Sequence, residues 1–242
     1  MDQYIGRERK VSNFPGGGIQ YIPGHDEPFI DYFISEYVAK QSFSIALELG
    51  GGGFRFALPA SQYLQKIIVV DIDKESLDIN KIIIKLKSLG NFSDTYVSSK
   101  IETEESDIFL YLSKTSTKFD LVVISRLIHF LDKDQMKHLI KLLEKVIKKD
   151  GLVCVSALTL KEKNSDTYNE FYLNSHEVDS IYYRKMNADE KTQNLLEKQN
   201  LPQKIHLFEK EYIQKIFSEN FILIDGPYWA TRTVQGFIFK KT

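Results

Sequence analysis

An acid and four glycines stand together at residues 48–53, Glu48-Leu-Gly-Gly-Gly-Gly. An apolar run rich in strand formers, Phe43 to Leu49, leads into them, and a segment with helical apolar spacing follows. A strand that passes through a glycine turn into a helix is how α/β proteins seat a nucleotide-like ligand at the carboxyl end of a parallel strand. Such a ligand lies against bare backbone, so Gly50, Gly51 and Gly52 are candidate contacts. The next helix turns its free N–H groups and positive dipole end toward the same place. Glu48 narrows the chemistry. A carboxylate two residues before the first glycine suits a cationic amine and would repel a pyrophosphate. Asp71, 21 residues after Gly50, stands near the end of a second, β-branched run, Lys66 to Asp73. There a carboxylate can accept both hydroxyl hydrogens of a ribose. Asp73, one alternation further on the same face, competes for that role.

A second group of chemically able residues follows the run Phe119 to Ser125: Ser125 itself, Arg126 and His129. An imidazole titrates near neutral pH, which makes His129 a candidate general base. Arg126 is placed to bind an acidic substrate group, or to pair with Asp132 or Asp134. The histidines at 25, 129, 138, 176 and 206 are scattered, and no His/Cys cluster has ligand spacing, so no metal is expected. The one cysteine, Cys154, lies inside an apolar run and reads as core; a disulfide framework is absent, which fits a reducing, cytoplasmic setting. The net charge of −1 does not favour a nucleic-acid partner. No apolar run reaches the ~20 residues that span a bilayer. The polar start, Met1 to Lys10, is no signal peptide, so no membrane partner is expected.

The elements that must position these residues follow from periodicity. Residues 1–28 are rich in glycine and proline, with Tyr4, Phe14, Tyr21 and His25 as aromatic anchors, and read as an arm or lid. Residues 28–40 have helical spacing, so residues 1–40 form an N-terminal arm and helix ahead of a domain over 41–242. After the glycine turn come a helix at 54–65, the second strand, a helix at 74–89 stopped by Gly90, and a weaker third strand at Thr95 to Ile101. A short helix at Ser106 to Leu112, the fourth strand, a helix at Asp132 to Lys148 and a fifth strand at Leu152 to Leu158 complete the alternation. This pattern predicts a doubly wound, mostly parallel α/β sheet. Residues 160–206 are polar with scattered tyrosines and read as a mainly helical insertion beside the carboxyl edge. Phe208 to Asn220 resumes a helix. Phe221 to Asp225 and Gly236 to Lys240 are two further strands, too close in sequence for a parallel crossover, so they pair antiparallel. The expected sheet has seven strands, the last running against the rest.

Glu48-Leu-Gly-Gly-Gly-Gly, the acid closing the second strand, Phe119-Asp120-Leu-Val-Val in the fourth and Leu143 to Gly151 leading to the fifth resemble the class I S-adenosylmethionine-dependent methyltransferases. The motifs cover about residues 40–160, and the order of elements extends the resemblance over 207–242. It implies S-adenosyl-L-methionine as cofactor and a seven-stranded sheet with a final antiparallel strand. Carried onto this sequence, it implies cofactor contacts at Glu48, Gly50, Gly51, Gly52, Asp71, Ile72, Asp107 and Ser125. Among these Asp71 fixes the ribose and Asp107 accepts the adenine amino group. Asp120 is by the same comparison a structural mark of its strand. One departure stands out: Phe54 occupies the place of the family's third glycine. The acceptor is expected to be a small molecule, with Tyr4, Tyr21, His25, Arg126 and Tyr172 around it; the alternatives are a protein or RNA methyltransferase of the same fold, or a non-catalytic cofactor-binding protein. A homodimer is compatible with the sequence, which does not set the oligomeric state.

Overall fold

A computed structural model describes residues 28–88, 90, 92–158, 175–178, 181–185, 204–208, 210–231 and 234–242. Seven strands form one sheet: β1 (Ile45–Leu49), β2 (Lys66–Asp71), β3 (Ile101–Glu105), β4 (Phe119–Ser125), β5 (Ile147–Leu158), β9 (Phe221–Thr231) and β10 (Val234–Lys241). Their order is β3-β2-β1-β4-β5-β10-β9. The pairs among β1 to β5 are parallel, while β10 runs antiparallel to both β5 and β9. The last strand therefore inserts against its neighbours, as the short link between β9 and β10 requires.

β1, β2 and β4 are apolar on both faces because helices cover both. One face is packed by α4 (Ile108–Lys114), α5 (Lys133–Val146) and α6 (Lys210–Phe217), which join Leu47, Val122 and Val153 in one core. The other is packed by α1 (Pro28–Phe33, continued as a π turn to Val38), α2 (Ala57–Ala60) and α3 (Ile79–Ser88), around Ala46, Val69 and Cys154. Cys154 is fully buried, as its apolar run implied. α1 presses its Phe29 ring onto Gly236, where any Cβ would come within 2.3 Å of the ring. The Tyr32 and Tyr37 hydroxyls both donate to Asp225 Oδ2, at 2.7 and 2.5 Å, tying this helix to β9.

Three expectations are corrected. The third strand is Ile101–Glu105, not Thr95 to Ile101. It is an edge strand of sequence Ile-Glu-Thr-Glu-Glu with four exposed residues, so its charges hide its β character while protecting a free edge. The helix placed over 54–65 is reduced to Ala57–Ala60, a late start that carries Pro59 within it. The insertion is not helical at its described residues. β6 (Ser175–Val178), β7 (Ile181–Lys185) and β8 (Lys204–Phe208) make a three-stranded antiparallel sheet, with β8 lying against β5 and the turn Ile128–Phe130. Short runs broken by charges leave too little alternation to reveal such strands.

Asp120 supports the sheet from below. Its Oδ2 accepts from the Ser44 and Ile45 N–H groups, at 3.0 and 2.9 Å, and its Oδ1 from Lys148 at 2.8 Å. Burial pushes this carboxyl up, but the Lys148 bond and the two backbone donors outweigh it and hold it below the ordinary 3.8. A depressed acid stabilises the fold above its unfolded pKa and loses that contribution as pH falls through the folded value. Asp120→Asn should thus cost about 1 kcal/mol at neutral pH, the exposed lysine limiting the effect. Denaturant melts should show that difference vanishing below the pH at which Asp120 itself protonates. A gap unchanged into that acid range would refute the assignment.

Candidate active site at the carboxyl edge

The glycine turn leaves β1 at Gly50, whose φ of +64° is a left-handed conformation open to glycine. The Gly50 and Gly51 N–H groups both donate to the Val70 carbonyl, at 2.8 and 3.3 Å, so the turn is stitched to β2. At Gly51 a Cβ would meet Val69 at 2.5 Å and Glu48 at 2.8 Å. Phe54 then adopts φ +55° and is completely buried. That left-handed backbone runs against the steric preference of a side chain. The phenyl ring joins the core beneath the turn, and that burial offsets the strain.

Glu48 is buried at 1% exposure and does not project into open space. Its Oε1 accepts from the Phe56 N–H at 3.2 Å and its Oε2 from the Ala57 N–H at 3.0 Å. These are the donors at the start of α2, so the carboxylate acts as that helix's cap. This structural role is one that spacing alone did not reveal.

Asp71 ends β2 beside the turn. Its Oδ2 accepts from the Gly52 N–H at 3.0 Å and its Oδ1 from the Asp73 N–H at 2.9 Å. Ser76, which sequence reasoning missed, completes the contact: its carbonyl accepts from the Gly53 N–H at 3.4 Å, and its Oγ would lie 2.6 Å from a Cβ at Gly52. The loop 71–76 and the turn 50–53 are one hydrogen-bonded unit. Asp73 Oδ2 is buried and accepts no hydrogen bond from the described residues. Between the two acids, Ile72 is 47% exposed, an apolar side chain presented at the edge. Asp107 caps α4, its Oδ1 accepting from Phe109 and Leu110 at 2.9 and 3.0 Å. The Ser106 N–H donates to the Asp71 carbonyl at 3.0 Å, so this cap is held next to Asp71.

Burial is the largest influence on Asp71 and raises its pKa above 3.8, against the backbone donors that lower it. For an acid raised in this way, stability is greatest below its unfolded pKa and is lost as pH rises through the folded value. The ionised carboxylate is therefore held at a cost to the fold. A ligand whose hydroxyls donate to it favours the ionised form, so affinity for S-adenosylhomocysteine should fall on acidification, with a midpoint above 3.8. Calorimetric titrations across pH, with circular dichroism to confirm folding, check this; a midpoint at or below the ordinary value would refute it.

On the β4–β5 side the edge is polar and enclosed. Arg126 has φ +52°, and its N–H donates to the Ser156 carbonyl at 2.9 Å and to Ser156 Oγ at 3.2 Å. Ser156 Oγ donates to Ser125 Oγ at 3.2 Å, and both serines are buried. Ser156 was also missed: only the register that sets Ser125 opposite Ser156 brings them together. His129 lies on the turn Ile128–Phe130 at 6% exposure, its ring centroid 4.3 Å from that of Phe130. Leu127 covers Gly50, which links this turn to the glycine cradle. Of the two acids weighed as partners of Arg126, Asp132 caps α5 and Asp134 pairs with Lys137. Tyr4, Tyr21, His25 and Tyr172 lie outside the described residues, as does the proposed lid.

These residues suit the implied cofactor. The cradle has no room for side chains at Gly51 and Gly52, the acid of β2 is fixed at its rim, and a second buried carboxylate oxygen beside it awaits a donor. Residues 47–155 match the family model described as a methyltransferase domain. Over those residues the chain carries a methyltransferase domain, and its fold is that of the class I S-adenosylmethionine-dependent methyltransferases. Its cofactor is S-adenosyl-L-methionine. Solved structures share the fold of this methyltransferase at low identity. The N-methyltransferase NodS from Bradyrhizobium japonicum WM9, in complex with S-adenosyl-L-homocysteine, is 16% identical, with 89% of each chain covered and a TM-score of 0.53. PH0226 protein from Pyrococcus horikoshii OT3 is 13% identical, with 89% of each chain covered and a TM-score of 0.58. Magnesium protoporphyrin IX methyltransferase (ChlM) from Synechocystis PCC 6803 is 11% identical over 89% of this chain and 82% of its own, with a TM-score of 0.55. No curated protein matches the methyltransferase.

Proposed function

We propose that this methyltransferase transfers a methyl group to a small-molecule acceptor at the carboxyl edge of the sheet. The observation that carries the site assignment is the Asp71–Gly52 hydrogen bond, which makes the ribose acid and the glycine cradle one rigid unit. Asp71 would hold the ribose hydroxyls, Gly50 to Gly52 the amino-acid end, and Ile72 and Asp107 the adenine. Ser125 would border the reacting end, and Glu48 keeps the cradle in shape through α2. When bound, S-adenosylmethionine supplies a methyl carbon made electrophilic by its sulfonium. The chain's own contribution is alignment, which can supply much of the rate when the acceptor is already nucleophilic. His129, enclosed on the turn that follows Ser125, would take the acceptor's proton where the acceptor carries one. Arg126 would orient an acidic group of the acceptor.

The net charge of −1 and the enclosed, partly apolar edge support a small acceptor over a nucleic acid. So does the name of the structural neighbour ChlM, a magnesium protoporphyrin IX methyltransferase. A cytoplasmic location fits the single buried cysteine, and among the described residues no helix is long and apolar enough to cross a membrane. Isothermal titration with S-adenosylhomocysteine and with NAD tests the cofactor site. Binding of the first and not the second is expected; tight NAD binding without the first would overturn the assignment. Turnover with S-adenosylmethionine over a panel of small acceptors, against protein and RNA, tests the acceptor class.

A further inference from the structure

The outer face of α4 and α5 carries a charge that the carboxyl edge does not use. We propose that this face docks the protein on an anionic lipid surface. Lys141 and Lys145 are one turn apart on α5, about 6 Å along its axis. Lys114 closes the last turn of α4, and Lys118 reaches across to donate to the Lys145 carbonyl, which brings the ends of the two helices together. Lys148 and Lys149 follow α5. All six lysines are exposed.

The carboxylates of this corner are Asp120, Glu144 and Asp150. Asp120 is taken by Lys148 and Asp150 by Lys240, each at 2.8 Å; Lys241 donates to the backbone carbonyls of Glu144 and Ile147, so the Glu144 carboxylate, one turn from Lys141 on α5, offsets one of the lysine charges. Lys114, Lys141, Lys145 and Lys149 form no ion pair among the described residues. In a chain whose net charge is −1, this positive corner is a local asymmetry. α5 is amphipathic, with Met136, Leu139, Leu143 and Val146 turned into the core and the lysines outward. Clusters of four to eight lysines on such a helix attract anionic leaflets. Leu110, one turn before Lys114 on α4, is 48% exposed and offers an apolar contact at the headgroup boundary.

The face does not suit a nucleic acid equally well. The aromatic rings of this face, Phe109 and Tyr111 on α4, are half-buried against the core, and Phe109 is stacked on His138 of α5 with centroids 5.5 Å apart, so they are packed on the protein rather than offered to unpaired bases. Sequence hydropathy excluded a span; it does not address surface charge. Helices that follow parallel strands run back from the carboxyl edge, so the lysines gather at the far end from Asp71. Docking there leaves the cofactor edge open. The proposal does not depend on the methyltransferase reading.

The test is co-sedimentation of the full chain with phosphatidylcholine vesicles, with and without phosphatidylserine, at low and high salt. Binding only to the anionic vesicles, reversed by salt, is expected, with affinity falling roughly five-fold for each lysine removed. Lys141→Glu with Lys145→Glu should abolish sedimentation, while Lys81→Gln with Lys85→Gln, on α3, should not change it. Thermal melts of both variants keep the comparison to folded protein. No binding by the wild type, equal binding to both vesicle types, or undiminished binding by the Lys141/Lys145 variant would each overturn the proposal. So would tighter binding to single-stranded RNA than to vesicles, lost in that same variant.

Discussion

Replacing Asp71 with alanine is expected to weaken S-adenosylhomocysteine binding by roughly 100-fold or more, since two hydrogen bonds from ribose to a charged acceptor contribute about 1.5–3 kcal/mol each. The substitution also frees the turn. Gly52 N–H loses the acceptor that fixes it to the end of β2, and Asp73 N–H loses the other. Asp71→Asn should lose less. Its carbonyl can replace one carboxylate oxygen, but its amide N–H₂ then faces a backbone donor where the carboxylate faced it as an acceptor. The order wild type, Asn, Ala in affinity is therefore the signature of a carboxylate serving both ribose and turn. Isothermal titration reads it directly. An alanine variant within about two-fold of wild type, less than the smallest effect of one such bond, would remove Asp71 from the site.

The alanine variant has a second consequence. Burial raises the Asp71 pKa, so the ionised group is a burden on the unliganded fold at neutral pH. Thermal stability of the ligand-free variant should accordingly fall far less than its affinity. A large loss of stability with affinity unchanged would identify Asp71 as a structural group alone.

Glu48→Ala should produce the opposite pattern. It strands the Phe56 and Ala57 N–H groups in a buried site, at about 1–3 kcal/mol for each lost acceptor. For a chain of this size a loss of 1 kcal/mol lowers Tm by about 2–4 °C, so a drop of roughly 5–15 °C is expected. Glu48→Gln keeps one acceptor and should fall between. A different result would follow if the negative charge acted mainly on the cofactor's amine. Glu48→Gln would then retain stability and lose affinity. Differential scanning calorimetry beside ligand titration separates the two roles, and an alanine variant melting with the wild type would refute the capping role.

Much of this methyltransferase was legible in its sequence, for identifiable reasons. A parallel strand buried on both faces must be apolar throughout, so Lys66–Asp71 and Phe119–Ser125 announced themselves. A glycine turn after such a strand has few uses, and the acids at 48 and 71 told one cofactor from another. The short link before the last strand dictated its antiparallel direction. Edge and insertion strands were hidden, because a strand with a single neighbour, or in a small sheet, can be charged and short, as Ile101–Glu105 is.

The tertiary structure decided what each acid does. Local sequence sets which residues reach the carboxyl edge, but a carboxylate's role depends on which donors come within hydrogen-bonding distance of its oxygens. For Glu48 those donors belong to the start of α2, for Asp71 to Gly52 across the β1–β2 pair, and for Ser125 to Ser156 on the next strand. Phe54 shows the same division. Its sequence position marked a missing glycine; only the fold shows a left-handed backbone held in place by a fully buried ring. Residue type and spacing determined the cofactor class and the sheet edge to which its candidate contacts belong. The division of labour at that edge came from contacts between strands and loops far apart in the chain, where distance in space, not in sequence, sets each interaction.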